Sequence, residues 1–223
     1  MIITSLSPSH KNKTQQIEAV NSWQKYGECY SVNSEGEIDE LRENYPGISF
    51  LKTIRTVEAL YGSAPRVNIN ALIDTAKDFD EDLILINSDI IIEELPKFRT
   101  GGLTIFSRYD YSVDKDKSEM FTYGFDMFYI PKALLHVFPP SIYALGACFF
   151  DLSLPYRFIL NKIPVFYPPG KFIFHKNHPQ QYSQDEWYFL GKYFRWEFRL
   201  DETTPIERMT QITMDLIKHN LRA

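Results

Sequence analysis

Two patterns alternate through the first half of the chain. Short segments rich in apolar and β-forming residues, Met1 to Leu6, Glu28 to Asn33, Ile48 to Leu51 and Leu83 to Ile86, read as strands. Between them, apolar residues recur at helical spacing. Ile17, Val20 and Trp23 predict an amphipathic helix over 14–26. Ser34 followed by Glu37 is a capping-box pattern that starts a helix carrying Ile38 and Leu41. Asn44-Tyr45-Pro46-Gly47 is a turn. Pro65 suits the first position of a third helix, whose apolar face is Ile69, Leu72, Ile73 and Ala76. This strand–helix alternation predicts an α/β fold with a mostly parallel central sheet and helices on its faces. Leu83 to Ile86 lacks polar alternation, as expected of a strand buried on both faces.

The second half is more mixed. Leu103 to Ser107 predicts a strand, and 108–119 is polar, charged and without period. That stretch reads as an exposed connection, with a lid or acceptor-binding loop as the functional alternative. Phe121 to Ile130 predicts a strand with Asp126 in its middle. Ile163 to Tyr167 and Phe172 to Phe174 predict strands joined by a turn at Pro168-Pro169-Gly170. Trp187, Leu190 and Phe194 place one apolar face on a helix within 182–200. Thr204, Pro205 and Glu207 start a last helix bearing Ile206, Met209, Ile212 and Leu216. These two helices either pack on the domain or offer a dimer or membrane-surface contact. Lys192, Arg195 and Arg199 among the aromatics keep the second option open.

Composition narrows the function classes. A length of 223 residues suits one large domain, or one domain with a tail, and 44% hydrophobic content supports a sizeable core. A net charge of −5 argues against a long nucleic-acid footprint. Aromatic content of 15% points to flat surfaces for stacking on rings or sugars. Cys29 and Cys148 form neither a metal spacing nor a disulfide framework, so a reducing, cytoplasmic compartment is expected. No secretory leader is read at the start, and no apolar run is long enough to span a membrane.

The chemistry-bearing residues cluster at strand ends. Leu83 to Ile86 runs into Asn87-Ser88-Asp89, and open α/β sheets bind ligands beyond the carboxyl ends of their strands. Asp89 either holds a divalent cation against a phosphate or bonds nearby backbone. Asp126 lies among apolar residues and must be paired or hydrogen-bonded if buried. Asp151 reads as a helix cap or as a functional carboxylate. His175 and His178 are surface histidines or, with Asp89, a mixed oxygen–nitrogen set suited to Mn²⁺ or Mg²⁺. The sequence contains no GKS/T phosphate loop, no GxGxxG after the first strand and no GxSxG elbow.

These segments resemble GT-A glycosyltransferases. A buried strand ending in Asn87-x-Asp89 occupies the place of their DxD motif. Gly124 to Pro131, Pro140 through Gly146 to Asp151, and His175-Lys176-Asn177-His178 resemble segments of a group of GT-A-like glycosyltransferases in order and spacing. The resemblance covers roughly 1–180 and implies a single GT-A (Rossmann-like) domain there, with 181–223 as a helical C-terminal extension. It implies transfer of a sugar from a nucleotide-diphospho-sugar donor to a hydroxyl acceptor such as a glycan. On that reading Asp89, His175 and His178 hold the metal. Thr4, Ser5, Glu35, Arg66, Asn87, Ser88 and Asp89 line the nucleotide-sugar, and Asp151, then Asp126, is the base. Tyr109, Tyr111, Phe149 and Tyr182 are candidates for an acceptor platform; the aromatic C-terminal helices, outside the resemblance, offer a homodimer contact. Two departures stand out: Asn87 replaces the first Asp of DxD, which weakens the metal expectation, and Phe150 replaces a usual Trp. The rival readings are a sugar nucleotidyltransferase, a degenerate nucleotide- or sugar-binding protein, and an interaction module built on the aromatic tail. Ser7 to Lys13 lacks the glycines that the first rival needs.

Overall fold

The computed structural model describes residues 1–57, 66–178 and 183–222. Four strands from the first half lie side by side and parallel: β1 (Ile2–Thr4), β2 (Cys29–Asn33), β3 (Ser49–Lys52) and, later in the chain, β6 (Leu83–Ile86). Between β3 and β6 come the short antiparallel pair β4 (Thr56–Val57) and β5 (Arg66–Val67). After β6 follow β7 (Ile91–Ile92), β8 (Leu103–Phe106), β9 (Tyr109–Tyr111), β10 (Glu119–Met120) and β11 (Met127–Ile130). The last strands are β12 (Val165–Phe166), β13 (Ile173–Lys176) and β14 (Leu221–Arg222). The main sheet has the order β14-β12-β8-β11-β6-β1-β2-β3. Only β11 runs antiparallel to its neighbours in it. A second sheet, β10-β9-β13-β7, stands on one side. The chain is therefore α/β with a mostly parallel central sheet, as the alternation predicted.

Among the described residues six α-helices cover the sheet: α1 (Lys13–Trp23), α2 (Glu35–Leu41), α3 (Ile69–Phe79), α4 (Phe150–Leu160), α5 (Gln184–Glu197) and α6 (Ile206–Asn220). The caps are local. Asn12 accepts from the Gln15 N–H, Ser34 and Glu37 complete the capping box of α2, and Asn68 accepts from the Asn70 N–H to start α3. One apolar core lies between the sheet and α3, α4, α5 and α6, and a second lies between the sheet, α1 and the smaller sheet. β6 is buried along its whole length.

Several local expectations are corrected. Arg66 belongs to β5 rather than to a helix start, because Asn68 caps α3 two residues later. Pro65 lies outside the described residues. The polar stretch 108–119 carries β9, a 3₁₀ turn at Lys115–Lys117 and the start of β10; pairing of Tyr109 and Tyr111 with Phe174 and Lys176 orders it. Asp126 precedes β11 instead of interrupting it. On α6 the buried face is Ile206, Met209, Thr213, Met214 and Ile217, while Ile212 and Leu216 are exposed. The segment after 181 contributes β14 to the edge of the main sheet as well as two helices. Cys29 and Cys148 are free thiols. Among the described residues no helix is long and apolar enough to cross a membrane.

Candidate active site

The site is built from the turn that follows β6. The inner face of α1 carries buried polar groups that hold this turn. Gln16 Nε2 donates to Ser88 Oγ at 2.9 Å, and Gln15 Nε2 donates to the Asp89 carbonyl at 3.1 Å. Further along the helix, Trp23 Nε1 donates to the Ile90 carbonyl at 2.7 Å, and Ser22 Oγ accepts from the Ile92 N–H at 2.9 Å. Three side chains of one helix thus fix the backbone around Asp89, and a fourth holds the Ser88 hydroxyl.

Asp89 Oδ2 lies 2.9 Å from His178 Nε2, 3.4 Å from His10 Nε2 and 3.5 Å from His175 Nε2. Burial opposes ionisation of Asp89. Hydrogen bonds from the three imidazoles prevail and hold its carboxyl well below the usual range. One ligand atom each from His10, Asp89 and His178 fall within 4.8 Å of one another. One carboxylate oxygen with two imidazole nitrogens is a donor set that fits a divalent transition ion such as Mn²⁺. His175 stands one step behind. Its Nε2 is 3.1 Å from His178 Nε2 and its Nδ1 is 2.8 Å from Asp110 Oδ1. Burial works against its charge, but hydrogen bonds to Asp110 and Asp89 push its pKa up to about 9.

From Asp110 the polar chain continues across the mouth of the sheet. Arg108 donates Nε to Asp110 at 2.8 Å and Nη1 to Asp126 Oδ1 at 3.0 Å. Asn87 Nδ2 donates to the same Asp126 oxygen at 2.8 Å. An amide at position 87 suits this place, because a second carboxylate would repel Asp126. Asn87 Oδ1 and Asp126 Oδ2 are buried and have no hydrogen-bond partner among the described residues.

Asp151 approaches from the other side, in the first turn of α4. Phe149, just before it, has φ 67, a left-handed conformation uncommon for a bulky residue. The turn drives the Phe149 ring into the core against Trp187 and Phe194 and swings Asp151 back toward β11. The carboxylate accepts the Phe125 N–H at 3.3 Å. Burial, reinforced by the charge of Asp126, raises its pKa to about 7 despite these backbone donors.

The remaining anticipated residues are placed as follows. Thr4 is buried and spends its hydroxyl on the Ile86 carbonyl at 2.8 Å. Ser5 is partly exposed at the end of β1. Glu35 is on the surface, paired with Lys52 at 2.7 Å. Arg66 is engaged by both oxygens of Glu186, at 2.6 and 3.3 Å, and so is tied to α5. Phe149 and Tyr111 are buried in the cores and offer no open platform; Tyr182 lies outside the described residues. Sequence reading passed over His10, Gln15, Gln16, Arg108 and Asp110. Two adjacent glutamines on the inner face of a helix were the one available signal.

The fold is of the Rossmann-like GT-A type. The chain superposes on S. aureus TarS residues 1–349, solved in complex with UDP-GlcNAc, with a TM-score of 0.54 and 14% identity, covering 98% of this chain and 71% of that one. Looser matches are a Bacillus anthracis protein described as a glucose-1-phosphate thymidylyltransferase, solved with sucrose (TM-score 0.43, 10% identity, 92% of this chain and 97% of that one), and a glycosyltransferase involved in glycosylation of the major capsid of PBCV-1 (TM-score 0.38, 10% identity, 78% and 90%). No family model and no curated protein matches the sequence.

Proposed function

We propose that this protein is a glycosyltransferase that moves a sugar from a nucleotide-diphospho-sugar to a hydroxyl acceptor such as a glycan. The observation that carries the reading is the gathering of His10, Asp89 and His178 at the carboxyl end of β6, in a GT-A-type fold. These three residues would hold a divalent ion, Mn²⁺ or Mg²⁺. When bound, such an ion neutralises the charge of a diphosphate leaving group. Around it, the chain's own groups bind and orient. Asn87 and Asp126, bonded to each other and to Arg108, form the polar floor beneath the transferred sugar. Asp151 is the base: with a pKa of about 7 it is poised to take the acceptor hydroxyl proton as that oxygen bonds to the anomeric carbon. This chemistry inverts the anomeric centre. Arg108 and His175 keep Asp126 and the Asp89 cluster in place.

A thermal-shift series with UDP, GDP, CDP and ADP, each with and without Mn²⁺, tests the reading. Ligands that bind only the native state raise the melting temperature by mass action. One nucleotide giving a Mn²⁺-dependent rise is the expected result. A rise with no sugar transfer to any acceptor would favour a nucleotide-binding protein, and no rise at all would overturn the donor site.

A further inference from the structure

A cleft of about 1000 Å³ opens where the end of α5 meets the end of α4, lined by Arg157, Lys192, Tyr193, Arg195, Trp196 and Arg199 among others. Arg157 is in the last turn of α4, whereas Asp151 is in the first, about 9 Å away along the axis. None of the residues lining the cleft belongs to the Asp89 cluster, and the proposed base is not among them.

Its charge is the reverse of the chain's. Four cations line it against two carboxylates, in a protein of net charge −5. One cation and one carboxylate cancel, since Glu197 is paired with Arg157 and also accepts the Tyr143 hydroxyl at 3.0 Å; that leaves three cations against Glu202. Arg195 hydrogen-bonds to the Glu202 and Thr204 carbonyls, and its charge acts on the Asp201 carboxylate beside it. The nearby Asp201 turns its carboxylate into its own loop, onto Thr203 and Thr204. Lys192 and Arg199 are exposed, and neither has an acceptor within hydrogen-bond distance among the described residues. Arg199 also has φ 53, at the position after a helix where glycine is favoured.

Beside these cations stands Trp196, 72% exposed, with its ring 5.5 Å from that of Tyr193. A flat exposed indole next to a cluster of guanidinium and ammonium groups matches a ligand with an apolar ring face and an anionic substituent. Guanidinium groups pair with phosphate through two parallel hydrogen bonds, and the cleft is of ligand-pocket size. We propose that this cleft binds a phosphate-bearing sugar, with the ring on Trp196 and the phosphate held by Lys192 and Arg199. The site goes beyond the transferase reading and does not depend on it.

Saturation-transfer NMR and calorimetry with glucose 1-phosphate, on the full chain without nucleotide or metal, test it. The intact protein should bind. Arg199→Gly, which suits the left-handed backbone, should keep or raise the melting temperature and weaken binding at least tenfold. Trp196→Ala should abolish transfer of saturation to the sugar ring, and Asp89→Ala should bind as the intact protein does. Inorganic phosphate should compete, and glucose should not. Loss of binding in Asp89→Ala with retention in Arg199→Gly would move the ligand to the donor site and overturn the proposal. So would no binding of glucose 1-phosphate, or binding only to phosphatidylglycerol vesicles, which would make the cleft a membrane contact.

Discussion

Gly124 lies directly against the carboxylate of Asp151: a Cβ on Gly124 would sit 2.1 Å from Asp151 Oδ2. The next N–H in the chain, that of Phe125, donates to the same oxygen. The segment before β11 thus holds Asp151 by close approach as much as by hydrogen bonding. Gly124→Ala must displace either the carboxylate or the strand. We expect a loss of about 1–3 kcal/mol in stability, measured by urea denaturation, because overpacking has few ways to relax. Transfer activity should fall with it, and a variant as stable and as active as the parent would show that Asp151 has room to move.

Asp151 also makes stability depend on pH. Its folded pKa of about 7 lies above the ordinary carboxylate value, so the folded chain binds the extra proton between them. Stability from this group is complete below the unfolded pKa and is lost as pH rises through about 7. Asp151→Asn keeps an acceptor for Phe125 but carries no charge. Its melting temperature should exceed that of the parent above about pH 7, by less as pH falls, and match it only below about pH 4. Transfer by the parent should rise with pH around the same midpoint and be absent from the variant.

Asp89 anchors three imidazoles. Asp89→Ala should remove the Mn²⁺-dependent part of nucleotide stabilisation in the thermal-shift series. It should also lower the pKa of His175 from about 9 toward the ordinary imidazole value, since one of its two carboxylate partners is gone. Imidazole titration by NMR reads the second effect without reference to activity. His10→Ala should weaken Mn²⁺-dependent binding by about tenfold to a hundredfold.

Arg66 and Glu186 make a testable structural pair. Glu186 is only 3% exposed and takes both of its charge-assisted bonds from Arg66. Arg66→Met leaves that carboxylate buried without its cation, and about 3 kcal/mol of stability should be lost. Adding Glu186→Gln should restore much of it. If Arg66 touched a nucleotide phosphate instead, its removal would weaken nucleotide binding and leave the unfolding midpoint unchanged.

The sheet was legible because its signals are local. Leu83 to Ile86 is apolar at every position, and a strand of that kind belongs inside a sheet covered on both faces. Ser34 and Glu37 are close enough in sequence to cap α2 without help. Arg66 was misplaced because proline and helical periodicity both suggested a helix start there, while Glu186, its partner, lies far away in the chain. The face of α6 was misjudged for a related reason. Ile212 and Leu216 share the helical period with Ile206 and Met209, but α4 and the sheet edge cover the side that carries Thr213, Met214 and Ile217.

The sequence by itself determined the α/β order, the buried central strand and the residue types at its end, because strand and helix periodicity and caps act over a few residues. Only the tertiary structure decided which of those residues meet. His10 follows β1, Asp89 follows β6 and His178 follows β13, and no spacing along the chain relates them. Their approach depends on β1 pairing with β6, on the smaller sheet folding over that edge, and on α1 hydrogen-bonding the turn between β6 and β7. A polar cluster built from long-range contacts is specified by packing, and packing is the part of the fold that local patterns do not encode.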